Sequence, residues 1–299
     1  MKRMVKLATA SLQIDLPYTS NNTVIERAVH AVRDAAKWQP DLIVLPEEID
    51  CLAQTSEERA KAGEPVPGGP IYEKFADMAR SFNANIALGI RERAGDHLYN
   101  TVAVIDRQGS LVGKYRKTHL APGESDEVEP GDEYPVFQLD FGKIGALSCM
   151  DIHYPEPWTI LALQGADVIV HPAWWRDYTG DLCESLVNAR AIDNQIYVVT
   201  SHPVSMPFLT GGASGHSRIV DPYGRTMAST GHKPGVAVAE VDLDQAYEYW
   251  AEGDLKKQYP TLKECFLGMR RPETYGILTR PDSENNWKIS EPTLFAKED

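Results

Sequence analysis

The stretch KIGALSCMDIHYPEPWTILALQGADVIVHP, residues 143–172, decides the fold class. It opens with an apolar run, Lys143 to Cys149, that reads as a buried strand. PEPWTILALQGA follows and reads as a helix, with Pro155 suited to the first turn, where a missing N–H is no loss. ADVIVHP, residues 166–172, is a second apolar strand. Strand, helix, strand over so short a span is the unit that builds parallel sheet covered by helices.

Working outward, the same alternation recurs. Upstream, KLATASLQI reads as a strand, and a helix is expected from Asn22 to about Lys37, with Asn21 and Asn22 as candidate caps. DLIVLPE is a short strand after Pro40, and a helix is expected from Pro70 to Phe82 after the turn-rich PVPGGP. ANIALGI and LYNTVAVID are strands; downstream, ESLVNARAIDN is helical and QIYVVTS a strand. The class is therefore α/β. AVIDRQGSLVG and RIVDPYGRTMA each set Asp and Gly three apart between strand-like runs, which reads as a tight turn from Asp106 to Gly109 and again from Asp221 to Gly224. The echo points to two similar halves, although Asp-x-x-Gly turns are common enough to recur by coincidence. From about Gln245 to Asp299 the chain turns polar, with no clear strand, and is expected to be an extension that packs on its own core or on a partner subunit.

Composition narrows the function classes. A hydrophobic fraction of 42% and a charged fraction of 24% suit a globular chain. No apolar run reaches the roughly 20 residues that cross a bilayer. The N-terminal MKRMVKLATASLQI lacks the long apolar stretch of a secretory signal and reads as a strand, so a cytoplasmic location is expected. A net charge of -13 disfavours nucleic acid and anionic membrane surfaces as partners. The four cysteines form no C-x-x-C pair and the eight histidines no ligand pattern, so neither a metal nor another cofactor is expected.

Three positions carry chemistry. Glu47 ends the apolar DLIVLP run, and the carboxyl ends of strands are where open α/β sheets place ligands. A carboxylate half out of water there suits a general base. It could equally be a solvated loop residue, and the adjacent Glu48 competes for the inward direction. Cys149 ends KIGALS just before a helix, a junction where a thiol can be activated; an inert buried thiol is the plainer alternative. The polar, turn-forming Asp151, Tyr154, Pro155 and Glu156 that follow are not what a core strand needs. In KYRKTHL, a lysine could stabilise an oxyanion, and on charge alone Lys114, Arg116 and Lys117 are all candidates.

Taken in order, these segments resemble the nitrilase, or carbon–nitrogen hydrolase, superfamily. LIVLPE matches its first motif with Glu47, YRKTHL its second with Lys117, and CMDIHYPE its third with Cys149. ESDEVEPGD places Glu124 where many members carry a further glutamate, and NARAIDNQIYVV matches another segment with Asp193 where Glu is usual. The resemblance runs from about Val5 to about Leu243. It implies a four-layer α-β-β-α sandwich, a homodimer or larger homo-oligomer, and hydrolysis of a non-peptide C–N bond through a cysteine thioester. Glu47 would be the base, Lys117 (with the Met150 N–H) would stabilise the oxyanion, and Glu124 would assist. Members that hydrolyse nitriles carry Trp-Glu directly after the cysteine; Met150 and Asp151 stand here, which favours a small amide or N-carbamoyl (ureido) substrate. Trp174 and Trp175 fall where the family places pocket residues, and Arg176 beside them could pair with a substrate carboxylate. The competing readings are a simple ω-amidase, a silent scaffold that binds partners through its acidic surface, and a thiol redox protein, which would want a resolving cysteine near Cys149.

Overall fold

The computed structural model describes residues 2–15, 18–175, 180–205, 213–245 and 258–280. The chain divides into two compact units, Met1–Glu248 and Tyr249–Asp299.

The first unit is built from two six-stranded mixed sheets. In its first half, β1 (Met4–Ser11), α1 (Asn21–Ala36), β2 (Leu42–Val44), the short α2 (Ser56–Arg59), α3 (Pro70–Phe82), β3 (Asn85–Ala94), β4 (His97–Ile105) and β5 (Leu111–Arg116) follow one another. Next come β6 (Val136–Gln138), β7 (Lys143–Ala146), α4 (Pro155–Leu163), β8 (Val168–Pro172), α5 (Gly180–Asn194), β9 (Tyr197–Ser201), β10 (Arg218–Val220), β11 (Thr226–Ser229) and β12 (Gly235–Asp242). The sheets run β12-β1-β2-β3-β4-β5 and β11-β10-β9-β8-β7-β6. In the first, β1, β2 and β3 are parallel; in the second, β7, β8 and β9 are. Each parallel trio has an antiparallel strand on one side, β12 or β6, and an antiparallel pair on the other.

The two halves thus share one topology, and the echo read from Asp106 and Asp221 is its local signature. Both aspartates accept hydrogen bonds from the backbone two and four residues on, at 2.8–2.9 Å. Gly109 and Gly224 close the turns at φ of 75° and 74°, a left-handed conformation that favours glycine. A register shift follows in each hairpin, at Val104/Ile105 and at Ile219/Val220.

The sheets pack face to face through small side chains that bond across the interface. Thr9 Oγ1 donates to the Thr200 carbonyl (2.8 Å), Ser201 Oγ to that of Ala10 (2.7 Å), and Ser11 meets Ser217 (2.7 Å). Helices cover the outer faces, which completes the four-layer α-β-β-α sandwich. On α3, Tyr72, Phe75, Ala76, Met78 and Ala79 are buried, a stripe at helical spacing. Each large apolar side chain so buried contributes about 1.5–3 kcal/mol. The α1 cap is Ser20, whose hydroxyl accepts from the Thr23 N–H, rather than Asn21 or Asn22. β12 has no counterpart among the strands read from the sequence; its intermediate burial gives it only a weak alternating pattern.

In the second unit, α6 (Leu262–Gly268) is opened by Thr261, whose hydroxyl accepts from the Glu264 N–H while the Glu264 carboxylate accepts from the Thr261 N–H. No strand occurs among its described residues. No helix among the described residues is long and apolar enough to cross a membrane.

Candidate active site

Both sheets end at the same cavity. β2 stops at Val44, and Leu45 stays in register through its N–H to the Ala87 carbonyl (3.0 Å). The chain then bends at Pro46, and the next two side chains diverge. Glu47 turns toward the second sheet; Glu48, at φ 42°, turns back to Arg91 (2.8 Å) and Arg59 (3.2 Å). Both are buried, so the ambiguity in the sequence is resolved by direction and not by depth. Gly89 permits the bend, because a Cβ there would lie 2.3 Å from the Pro46 carbonyl oxygen and 2.7 Å from Glu47 Cα.

The end of β5 and the residue after it sort three cations. Lys114 and Arg116 pair with Glu92. Lys117, 1% exposed, enters the cavity, anchored by its N–H on the Asn100 carbonyl (2.8 Å). Lys117 Nζ donates to Glu47 Oε1 (2.9 Å) and Glu124 Oε2 (2.7 Å). Asn100 Nδ2 joins the same two carboxylates, at 2.7 Å to Glu47 and 2.8 Å to Glu124. Two donors therefore bridge two acids in a closed square. Ser148 Oγ adds a further donor to Glu47 at 3.3 Å.

Cys149 begins a 3-10 turn, Cys149–His153, with the unusual φ of 44°. Strain of this kind in a non-glycine residue persists only when its surroundings impose it. Asp151, fully buried, imposes much of it: it accepts from the Ser148 N–H (2.8 Å), the Tyr115 hydroxyl (2.6 Å) and the His119 N–H (3.3 Å), and meets His119 Nδ1 at 2.8 Å. This one carboxylate ties the lysine segment to the cysteine segment. The Cys149 thiol reaches the Glu47 carboxylate and, at 3.8 Å, the Trp174 carbonyl.

Charge states follow from these contacts. Burial raises the Glu47 carboxyl, but the Lys117 charge and hydrogen bonds outweigh it and hold the group below its ordinary value. Burial opposes the Lys117 ammonium, yet the negative charges of Glu47 and Glu124 and the hydrogen bond to Glu124 hold its pKa well above the usual lysine value. Burial, then the charge of Glu47, pushes the Cys149 thiol well up, against the pull of Lys117. At rest the site is therefore carboxylate, ammonium and thiol.

The cavity above it holds about 540 Å³. Met150, Trp174 and Trp175 line it, as read from the sequence; Arg176 lies outside the described residues. Asp193 does not line it: half exposed on α5, it stands 3.7 Å from Arg190. Sequence reasoning missed Asn100, Ser148, Arg59, Glu127 and His153. Arg59 bonds Glu127 through Nε (2.9 Å) and Glu48 through Nη2 (3.2 Å), and its guanidinium lies 5.5 Å from the Trp174 ring centre. Asn100 had one available signal, a buried amide inside the strand LYNTVAVID, where Asn is disfavoured. Three or more His, Cys, Asp or Glu placed to hold a metal do not occur among the described residues.

A family model described as carbon-nitrogen hydrolase matches residues 8–250, and the chain belongs to that family, within the nitrilase superfamily. It is 33% identical over 268 residues to a deaminated glutathione amidase of Bos taurus, covering 84% of this chain and 78% of that protein. It is 32% identical over 270 residues to the omega-amidase NIT2 of Mus musculus, covering 87% and 94%. The crystal structure of Saccharomyces cerevisiae Nit3, a nitrilase-superfamily member, superposes with a TM-score of 0.74 at 27% identity, covering 88% of this chain and 96% of that one. Hydrolysis of amide C–N bonds is thus the chain's general activity.

Proposed function

We propose that the chain hydrolyses small linear amides or N-carbamoyl compounds through a thioester on Cys149. The observation that carries the reading is Lys117 Nζ held between Glu47 and Glu124 in the cavity that Cys149 opens into. Glu47 takes the thiol proton as sulfur attacks the carbonyl carbon. The oxyanion develops against Lys117 and the Met150 N–H; one such donor is worth about 3–4 kcal/mol of barrier. Collapse breaks the C–N bond, and Glu47 returns its proton to the departing amine or ammonia. Water then gives a proton to Glu47 and attacks the thioester, and the acid leaves as the thiol is restored. Glu124 positions Lys117 and Asn100.

Trp174, Trp175 and Met150 supply an apolar wall for the rest of the substrate. Arg59 is paired with Glu48 and Glu127, but among the described residues nothing accepts from its Nη1, which leaves that N–H edge to a substrate carboxylate. The test is a panel of amides and ureido acids assayed for ammonia and carbon dioxide, with wild type beside Cys149→Ala. Carbamoyl substrates release both products, whereas ω-amides release ammonia alone. Full turnover by Cys149→Ala ends the reading.

A further inference from the structure

The turn that carries Cys149 is held from behind by its carbonyls. Trp158 Nε1 donates to the Asp151 carbonyl (3.0 Å), and Arg190 grips that of Ile152 through Nε (3.1 Å) and Nη2 (2.9 Å). The Cys149 carbonyl itself lies 3.2 Å from Nε2 of His171. His171 sits on β8, fully buried, between the rings of Trp158 (5.4 Å) and Trp175 (5.6 Å). A carbonyl can only accept, so Nε2 is the protonated nitrogen. Nδ1 lies 3.2 Å from the Thr200 hydroxyl, which donates to the His171 carbonyl at 3.0 Å and meets His202 Nε2 at 2.6 Å. Thr200 is the β9 residue directly opposite His171 in the parallel register, so the sheet itself holds the ring in place. Burial takes the His171 pKa down to about 4, which leaves the ring neutral.

The consequence lies in the peptide plane. The Cys149 C=O and the Met150 N–H belong to one trans peptide and point in opposite directions. A hydrogen bond that draws the carbonyl toward the buried His171 turns the Met150 N–H toward the cavity, which both residues of that peptide line. No described acceptor takes that N–H. We infer that His171 is a positioning residue: by holding the Cys149 carbonyl it aims the Met150 N–H at the carbonyl oxygen of the substrate. It touches neither substrate nor thiol proton and acts only when negative charge gathers on that oxygen. This role rests on the thioester reading above.

The test separates aim from folding. His171→Leu keeps an apolar side chain of similar reach and loses the donor; His171→Gln restores an N–H near the Nε2 position. A misaimed oxyanion donor costs less than the 10²–10³ of a deleted one, so kcat in His171→Leu is expected to fall about 10- to 100-fold with KM within about twofold. His171→Gln is expected to recover most of the loss. Alkylation of Cys149 by iodoacetamide forms no oxyanion and should proceed within about twofold of the wild-type rate in both variants. Wild-type kcat in a folded His171→Leu overturns the inference. So does a loss shared equally by alkylation and turnover, or one that Gln does not repair, because each marks a merely structural histidine. Failure of the thioester reading is distinct: Cys149→Ala, run in parallel, would then turn over substrate as wild type does.

Discussion

Glu124→Gln is the most informative single change, because the substitution keeps shape and removes only charge and one acceptor. Glu124 Oε2 accepts from Lys117 Nζ and from the Ala121 N–H, both at 2.7 Å, and Oε1 accepts from Asn100 Nδ2 at 2.8 Å. Glutamine has one oxygen for these three donors. If it faces Lys117 and Ala121, its NH₂ confronts the Asn100 NH₂; if it turns, its NH₂ confronts an ammonium and an amide N–H. Either way a buried donor is left without an acceptor, at about 1–3 kcal/mol. The charge-assisted bond to Lys117 becomes a neutral one, which removes roughly half of about 1.5–3 kcal/mol. The sum is about 2–4 kcal/mol at the residue proposed to stabilise the oxyanion, or about 30- to 1,000-fold in kcat at 1.36 kcal/mol per decade. Ammonia release under saturating substrate reads kcat, and a thermal melt checks the fold. A folded Glu124→Gln within threefold of wild type would refute the idea that this carboxylate positions Lys117.

Other changes probe the frame. Gly89→Ala sets a methyl against backbone atoms at 2.3 and 2.7 Å that have no room to yield, so a loss of at least about 1–3 kcal/mol in denaturant unfolding is expected, with kcat falling as Glu47 shifts. Arg59→Met leaves Glu48 and Glu127 paired with Arg91; KM for an amide bearing a carboxylate should rise about tenfold, roughly 1.4 kcal/mol, while that for a neutral amide stays put, as initial rates on both substrates would show. Burial raises the Asp50 carboxyl to about 8 from 3.8, so the folded chain holds a proton there that the unfolded chain has lost. This group's contribution to stability therefore declines as pH rises from about 4 to about 8. Asp50→Asn should remove that decline, and unfolding titrations at pH 5, 7 and 8.5 should show the variant gaining on wild type; an unchanged difference across the three would sink the prediction.

What the sequence disclosed and what it hid follow one physical line. β7, α4 and β8 were legible because apolar runs and a first-turn proline are local signals. The two hairpins were legible because an aspartate and a left-handed glycine define a turn within four residues. The site was legible only in part. Cys149, Glu47 and Lys117 stood out by the order of their segments, yet Glu47 differs from Glu48 only in the direction taken after Pro46. Lys117 differs from Lys114 and Arg116 only in which carboxylates the fold brings to it. Asn100, Arg59 and His171 act through partners 11 to 68 positions away in sequence, and no spacing rule announces such contacts. Asp151 was visible as a polar residue where a core strand needs none; its five-donor knot with Tyr115, Thr118, His119 and Ser148 was not.

The central claim is a covalent one, and intact-protein mass measurement tests it most directly. Wild-type chain mixed with a turned-over amide and quenched in acid within the steady state should carry the mass of one acyl group, located by peptide mapping on Cys149. The adduct should be absent from Cys149→Ala, which should also be inactive. Undiminished turnover by Cys149→Ala, or an acyl group mapped to any other residue, would contradict the account.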